Sequence, residues 1–183
     1  YETARKLFVW DGYREIGIDH FARPGDGLAR AADAGTLRRN FQGYTDDPAE
    51  VLIGIGASSI SRFPQGFAQN NPSTSGYHQT VRDGGLATVR GNAFTEEDKV
   101  REAMIGKLMC DFAIDFNALG KTLGLAPSDL ASRFDGSEEV FPDILDRDGT
   151  RIEIKPAGRP LTRMIARYLD TYAAGQTGHS AAI

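Results

Sequence analysis

The chain has few cysteines, no long apolar run and no excess of basic residues, and each of these absences excludes a class of protein. It contains one cysteine, Cys110, in 183 residues, which excludes an internal disulfide framework and is typical of a reducing compartment. No apolar run approaches the roughly 20 residues that cross a bilayer. Basic residues are not in excess, because the formal net charge is −4 and the pI is near 5.4. We therefore expect a cytoplasmic protein that binds neither a membrane nor nucleic acid.

The first third of the chain predicts α/β architecture. A helix is predicted over residues 1–8 and a strand with partly alternating apolar residues over 13–21. A short helix is predicted over 28–34. The nearly continuous apolar run at 51–56 is typical of a strand that is buried on both faces of a parallel sheet. A helix followed by strands favours an α/β fold.

The middle of the chain predicts a domain boundary. Residues 64–94 are rich in Gly, Pro, Asn and Ser, so we expect a loop-rich connection broken by a short helix near 76–83. A helix start follows at Thr95-Glu96-Glu97-Asp98, where a hydroxyl and a carboxylate can satisfy free backbone N–H groups. The apolar stripe of this helix comprises Val100, Met104, Ile105, Leu108, Met109, Phe112 and Phe116.

The last third predicts a helix, a hairpin and a second helix. Residues 127–134 form the first helix, Asp148-Gly149 is a tight-turn signal, and 151–155 alternate like a half-buried strand. The second helix carries Leu161, Met164, Ile165, Tyr168, Leu169 and Tyr172. The predicted domains are an α/β part over 1–63, the connection over 64–94, a mainly α-helical domain with a small β-hairpin over 95–174, and a flexible tail over 175–183.

Three local patterns are typical of functional sites, but in each case the residues favour a structural interpretation. Gly54-x-Gly56 invites a phosphate-loop interpretation, but it lacks the third glycine and the Lys-Ser/Thr of such loops, so close packing or ligand approach is preferred. Asp19 and His20 would point to opposite faces of a strand, which opposes a shared metal site and leaves His20 a structural or substrate-edge role. Cys110 is expected to be an inert core thiol.

Several short motifs occur in register across nearly the whole chain. They are residues 16–24, Arg39-Asn40-Phe41-Gln42-Gly43-Tyr44, 52–56, 59–61, Tyr77, 105–112 and 169–172. With them the chain closely resembles the oxygen-independent coproporphyrinogen III oxidases, which belong to the radical S-adenosylmethionine class. The resemblance implies an enzyme that converts two propionates of coproporphyrinogen III into the vinyl groups of protoporphyrinogen IX by a deoxyadenosyl-radical mechanism.

The resemblance also implies cofactors and partners. The cofactors are S-adenosylmethionine and a four-iron four-sulfur cluster on three closely spaced cysteines, and one cysteine cannot supply three thiolates. We therefore interpret the chain as a C-terminal fragment: the last strands of an incomplete TIM-like barrel, then a helical domain. The cluster ligands are expected upstream, and the fragment alone is expected to be inactive. The implied partners are coproporphyrinogen III and an electron donor, and we expect a monomer.

The resemblance assigns two residues to cofactor binding. Gln42 offers two donors and an acceptor beside Gly43, which allows close approach, and it is implied to contact S-adenosylmethionine. Ile60 follows the predicted strand at 51–56 and is implied to cover one face of the purine. Without the resemblance, Gln42 would be a loop residue bonded to its own backbone and Ile60 ordinary core. No catalytic residue and no metal ligand is assigned within this chain.

Three arginines near Gln42 are candidates for binding the carboxylates of the substrate. Arg23, Arg38 and Arg39 crowd the loops near Gln42 and could hold propionates, since guanidinium binds carboxylate in a two-pronged geometry; solvated surface charge is the alternative.

Two alternative functions stay open. The first is a related radical S-adenosylmethionine protein that carries haem. The second is a winged-helix-like binding module over 127–174, but the seven basic and nine acidic residues between positions 128 and 172 oppose binding to nucleic acid.

Overall fold

A computed structural model describes residues 1–170 and divides the chain into two units. The first unit is Tyr1–Asp46 together with Val100–Ile183, and the second is Asp47–Lys99. The domains predicted from the sequence follow the order of the chain, whereas the first unit is discontinuous. That division stays a prediction. Tyr172 of the last predicted helix and the predicted tail lie outside the described residues.

Helices and short strands alternate along the described chain. The helices are α1 (Glu2–Trp10), α2 (Gly27–Asp33), α3 (Thr74–Arg82), α4 (Glu96–Asp111), α5 (Phe116–Leu123), α6 (Pro127–Ala131), α7 (Ser137–Val140) and α8 (Thr162–Tyr168), with 3₁₀ turns at Ser132–Phe134 and Pro156–Leu161. The strands are β1 (Arg14–Ile16), β2 (His20–Ala22), β3 (Arg38–Arg39), β4 (Tyr44–Thr45), β5 (Ile60–Phe63), β6 (Gly66–Asn70), β7 (Thr88–Ala93), β8 (Ala113–Asp115), β9 (Leu145–Arg147) and β10 (Arg151–Ile154).

The fold is mixed α/β, and its strand pairs differ from those predicted. Every pair within residues 1–170 is antiparallel: β1 with β2, β3 with β4, β5-β6-β7, and β8-β10-β9. The parallel pairing that a TIM-like barrel requires is therefore not found in this part of the chain. No helix among these residues is long and apolar enough to cross a membrane.

The start of α4 has the capping box that the sequence predicts. Thr95 Oγ1 accepts a hydrogen bond from Asp98 N at 3.1 Å, and Asp98 Oδ2 accepts one from Thr95 N at 2.9 Å. Each side chain thus satisfies a backbone donor that the first helical turn leaves free. The helix ends earlier than its apolar stripe suggested, because Phe112 has a left-handed φ of +57°. Phe116 is buried, but it begins α5.

The larger hydrophobic core of the first unit is built from α4 onward. Helices α4, α5, α6 and α8 pack against the sheet β8-β10-β9, which contains the predicted hairpin. The buried side chains are Val100, Met104, Leu108, Ile114, Phe116, Leu119, Leu130, Ala131, Phe134, Leu145, Ile152, Ile154, Ile165 and Leu169. The segment from α4 onward therefore contributes a core of its own, and its three-stranded sheet is larger than the expected hairpin.

A smaller core holds the first 46 residues together. It comprises Ile16, Ala22, Ala29, Ala31, Leu37 and Tyr44. Residues 13–21 were predicted as one strand, but they form most of a hairpin, with Ile16 opposite His20. The chain turns at Gly17, whose φ of +55° suits glycine. The alternation of apolar residues continues through the turn, which is why the sequence pattern hides it.

The second unit contains the sheet β5-β6-β7 and helix α3. The short helix predicted near 76–83 is confirmed, but the loop-rich interpretation of 64–94 missed strands β6 and β7. All six residues of β7 are exposed, so no apolar pattern marks that strand. The buried parallel strand predicted at 51–56 is wrong: only Leu52 forms a bridge, to Arg62, and Ile53 and Ile55 are 59% and 84% exposed.

Substituting Gly17 by Ala should destabilise the protein more than substituting Gly12. Both glycines have positive φ, +55° and +81°, which costs an alanine about 1–2 kcal/mol. Only at position 17 would the new Cβ meet an obstacle, 2.0 Å from Tyr44 Cζ. Overpacking of this kind adds about 1–3 kcal/mol. Urea unfolding of the full chain measures both losses, and equal losses would contradict this packing.

Candidate functional site

The motif Arg39 to Tyr44 forms a tight turn between β3 and β4. Asn40 builds it, because its Oδ1 accepts hydrogen bonds from Gln42 N at 2.8 Å and from Gly43 N at 3.2 Å. Asn40 N also donates to Gly43 O at 2.9 Å. Gly43 has a φ of +141°, which few other residues adopt. The turn therefore presents Phe41 and Gln42 at its tip.

The side chain of Gln42 is exposed at this tip. Its amide forms no hydrogen bond with another residue of the described chain, and only its backbone N–H is engaged, by Asn40. The alternative in which Gln42 bonds its own backbone is therefore not what the structure shows. Two amide donors and one acceptor remain available to a ligand.

Tyr44 fixes this turn to the rest of the first unit. The side chain is buried, and its hydroxyl donates to Met109 O of α4 at 2.7 Å and accepts from Ile18 N at 3.0 Å. Burial raises the pKa of Tyr44 to about 12, because the phenolate would lose its hydration. The phenol is thus neutral under ordinary conditions and can form both bonds.

Asp19 and His20 meet beside the same turn. Asp19 lies in the turn between β1 and β2, and this brings its Oδ1 to 2.7 Å from His20 Nδ1. The expectation that their side chains diverge is therefore wrong, because it assumed a continuous strand. The other oxygen of Asp19, Oδ2, accepts from Arg163 Nη2 at 2.8 Å. The His20 ring lies edge-on to the Tyr44 ring, with 5.0 Å between centroids.

The three arginines predicted near Gln42 do not form one group. Arg39 lies over the Tyr44 ring, with its guanidinium carbon 5.8 Å from the centroid. Arg38 is opposite Thr45 in the β3-β4 ladder. Arg23 instead lies over the Tyr13 ring at 5.8 Å. Only Arg39 is thus shown against the buried tyrosine that supports the turn.

The second unit places Ile60 at the first position of β5, partly buried and opposite Gln69. The loop before it is held by side chains: Gly54 N donates to Ser61 Oγ at 3.0 Å, and Gly56 N donates to Tyr77 OH at 3.1 Å. These N–H groups are therefore not free to bind phosphate. A Cβ at position 54 would lie 2.9 Å from the backbone of Ile60, which shows close packing.

No cluster of three or more His, Cys, Asp or Glu side chains within residues 1–170 could hold a metal ion. Cys110 is partly buried against the smaller core. Burial raises the pKa of its thiol to about 11, so the nucleophilic thiolate is scarce at neutral pH.

A groove of about 540 Å³ in the first unit was not predicted. It is mostly apolar and carries two guanidinium groups; its lining residues are Val140, Phe141, Pro142, Ile144, Leu161, Arg163, Met164 and Arg167. Arg163 is also the partner of Asp19. The contact between Arg163 and Asp19 could not be predicted from the sequence, because the two residues are 144 positions apart.

Comparison with known proteins shows what the chain is similar to. Along all of its 183 residues it is 57% identical to an oxygen-independent coproporphyrinogen III oxidase of Paracoccus denitrificans, of which it covers 41%. A second such enzyme, from Cereibacter sphaeroides, is 49% identical over 174 residues, which are 95% of this chain and 39% of that protein. The chain is related to the oxygen-independent coproporphyrinogen III oxidases. The resemblance inferred from the motifs is therefore confirmed.

The fold agrees with this relationship. The coproporphyrinogen III oxidase of Escherichia coli, whose solved structure is described as that of a radical SAM enzyme, matches with a TM-score of 0.84 at 36% identity. The match covers 93% of this chain and 40% of that one. No family model matches the chain. The chain thus spans about 40% of the length of the relatives it matches.

Replacing Tyr44 by Phe should lower the free energy of unfolding by about 1–3 kcal/mol, because Ile18 N–H and Met109 C=O would lose their partner in a buried site. The raised pKa means that this stabilisation is fully present below pH 10 and is lost as the pH rises through about 12. Urea unfolding at neutral pH and near pH 9 should therefore give the same difference. Tyr168→Phe is the matched control, since its hydroxyl bonds Asp135 O on the surface; an equal loss there would contradict the role of Tyr44.

Proposed function

We propose that this chain is part of an oxygen-independent coproporphyrinogen III oxidase, which oxidatively decarboxylates two propionates of coproporphyrinogen III to the vinyl groups of protoporphyrinogen IX. The observation that carries the proposal is 57% identity to such an enzyme along the whole chain. The free amide of Gln42, presented on a turn built by Asn40 and Gly43, supports a binding role for the motif at residues 39–44.

The residues present fit a contact with S-adenosylmethionine. Gln42 has an exposed amide with unused donors and an acceptor, which is what an adenine edge or a ribose hydroxyl requires. Ile60, in the second unit, offers an apolar side chain at the start of β5 that suits the face of a purine. We propose the Gln42 contact and the Ile60 contact independently of each other, because the two residues lie in different units. When bound, S-adenosylmethionine supplies the radical that removes a hydrogen atom from a propionate chain.

The chain does not fit a four-iron four-sulfur cluster. Such clusters are held by several thiolates, and this chain has one cysteine, whose thiol has a raised pKa. We therefore assign the cluster to residues outside this chain and derive no step through it. The incomplete TIM-like barrel is likewise proposed for the whole enzyme.

The chain's own contribution is to position ligands and exclude water. Asn40 and Tyr44 hold the Gln42 turn rigid, so its amide is oriented before a ligand arrives. The helical core from α4 onward is proposed to cover the substrate, which would protect a radical from stray hydrogen donors. The names of the relatives favour the oxidase over a haem carrier or a winged-helix module. The cytoplasmic location, the electron donor, the monomer and the inactivity of this chain alone stay predictions.

Replacing Gln42 by Ala in the full-length enzyme should weaken S-adenosylmethionine binding about 5- to 150-fold, the effect of losing one or two ligand hydrogen bonds. The fold should be retained, because the side chain supports no other described residue. Isothermal titration calorimetry measures the affinity. Gln79→Ala, which removes an exposed amide that bonds Asp83, is the control and should bind normally. Unchanged binding by Gln42→Ala would remove that residue from the site.

A further inference from the structure

The ring of His20 is held from several sides. Its Nδ1 is 2.7 Å from Asp19 Oδ1, and Asp19 is itself fixed by Arg163 through Oδ2 at 2.8 Å. The ring packs edge-on against Tyr44, which is buried and doubly hydrogen-bonded. A carboxylate on one ring nitrogen fixes the orientation and the tautomer of a histidine, as it does in many binding sites.

The other ring nitrogen, Nε2, faces the Gln42 turn. A Cβ at position 43 would lie 3.2 Å from Nε2 and 3.6 Å from Cε1, so the ring rests against the backbone of Gly43. Within residues 1–170, Nε2 has no hydrogen-bond partner, and the side chain is 42% exposed. An oriented polar atom is therefore open to a ligand next to the position of Gln42.

Arg39 contributes a second polar group next to the Tyr44 ring. Its guanidinium lies over the Tyr44 ring, the same ring that His20 contacts. Its guanidinium forms no ion pair with an acidic residue of the described chain. A protonated imidazole and a guanidinium are both donors without acceptor capacity, and carboxylates are their preferred partners.

We propose that His20, positioned by Asp19, and Arg39 form a carboxylate-binding site beside the Gln42 turn. His20 Nε2–H and the Arg39 guanidinium would each donate to the carboxylate, while Asp19 acts as a positioning residue and Arg163 holds Asp19. This inference rests on the proposed function, which offers two sources of a carboxylate. One is the methionyl group of S-adenosylmethionine, and the other is a propionate of coproporphyrinogen III.

Ligand titrations of the full-length enzyme test the proposal and separate the two sources. The probes are S-adenosylmethionine, by calorimetry, and coproporphyrin III, a stable tetracarboxylate, by fluorescence. His20→Ala should weaken one of them about 10- to 100-fold, the loss of a charge-assisted hydrogen bond. His20→Gln, which can return a donor near the Nε2 position, should recover part of that loss. Arg39→Gln should weaken the same probe, and Lys121→Gln, an exposed charge change on α5, should weaken neither.

Nitrogen-15 NMR of the histidine rings tests the role of Asp19. With the affected probe bound, the wild type should show both ring nitrogens of His20 protonated, a signal assigned through its loss in His20→Gln. Asp19→Ala should reduce the doubly protonated fraction while weakening the same probe. A purely structural role of Asp19 would leave the protonation of the ring in the bound state unchanged. If S-adenosylmethionine is the affected probe, the methionyl carboxylate is the ligand; if coproporphyrin III is, a propionate is.

Two outcomes would overturn different claims. Normal binding of both probes by folded His20→Ala and Arg39→Gln variants, while Gln42→Ala still weakens S-adenosylmethionine, would overturn this site alone. A wild-type enzyme that binds neither probe would overturn the proposed function itself. Because Arg39 is exposed, its variant gives a result even where His20→Ala does not fold.

Discussion

The hydroxyl of Tyr44 is the interaction on which the geometry of the candidate site depends. It joins β4 to the turn after β1, through Ile18 N, and to the end of α4, through Met109 O. Each partner is a backbone group in a region with little access to water, where an unpaired donor or acceptor is costly. The motif's tyrosine therefore serves the fold, and the glutamine two positions earlier is left free because the tyrosine and Asn40 already hold the turn.

In the second unit as well, some motif residues stabilise the fold. Ser61 and Tyr77 are among the motif residues that carry the family resemblance, and both bond backbone N–H groups of the loop before Ile60. Asn70 adds two bonds from Nδ2, to Gly54 O and Gly56 O, each 3.1 Å long. Motif membership alone thus does not mark a ligand contact. In the first unit, the motif residue proposed for binding is the one whose side chain has no partner in the described chain.

Local features were predictable from the sequence, and features that depend on distant partners were not. The capping box at Thr95 and Asp98 involves residues three apart, so its pattern is complete within the sequence. Strand β7 forms because its backbone pairs with β6, and this pairing cannot be predicted from the polarity of its side chains. The apolar residues at 51–56 suggested burial, but apolar character does not say what covers a segment. Gln42 could be predicted from its motif, whereas no local sequence pattern indicates the contact between Asp19 and Arg163.

The discontinuity of the first unit has a consequence for the order in which it forms. Tyr44 lacks its acceptor Met109 until α4 has been synthesised, 65 positions later, and Asp19 waits for Arg163 across 144 positions. Residues 47–99 fall between these partners and have their own sheet. During translation, the second unit can therefore fold on local contacts before the first is complete. Closing the long connection costs less entropy once its middle is compact, because a folded insert shortens the effective loop.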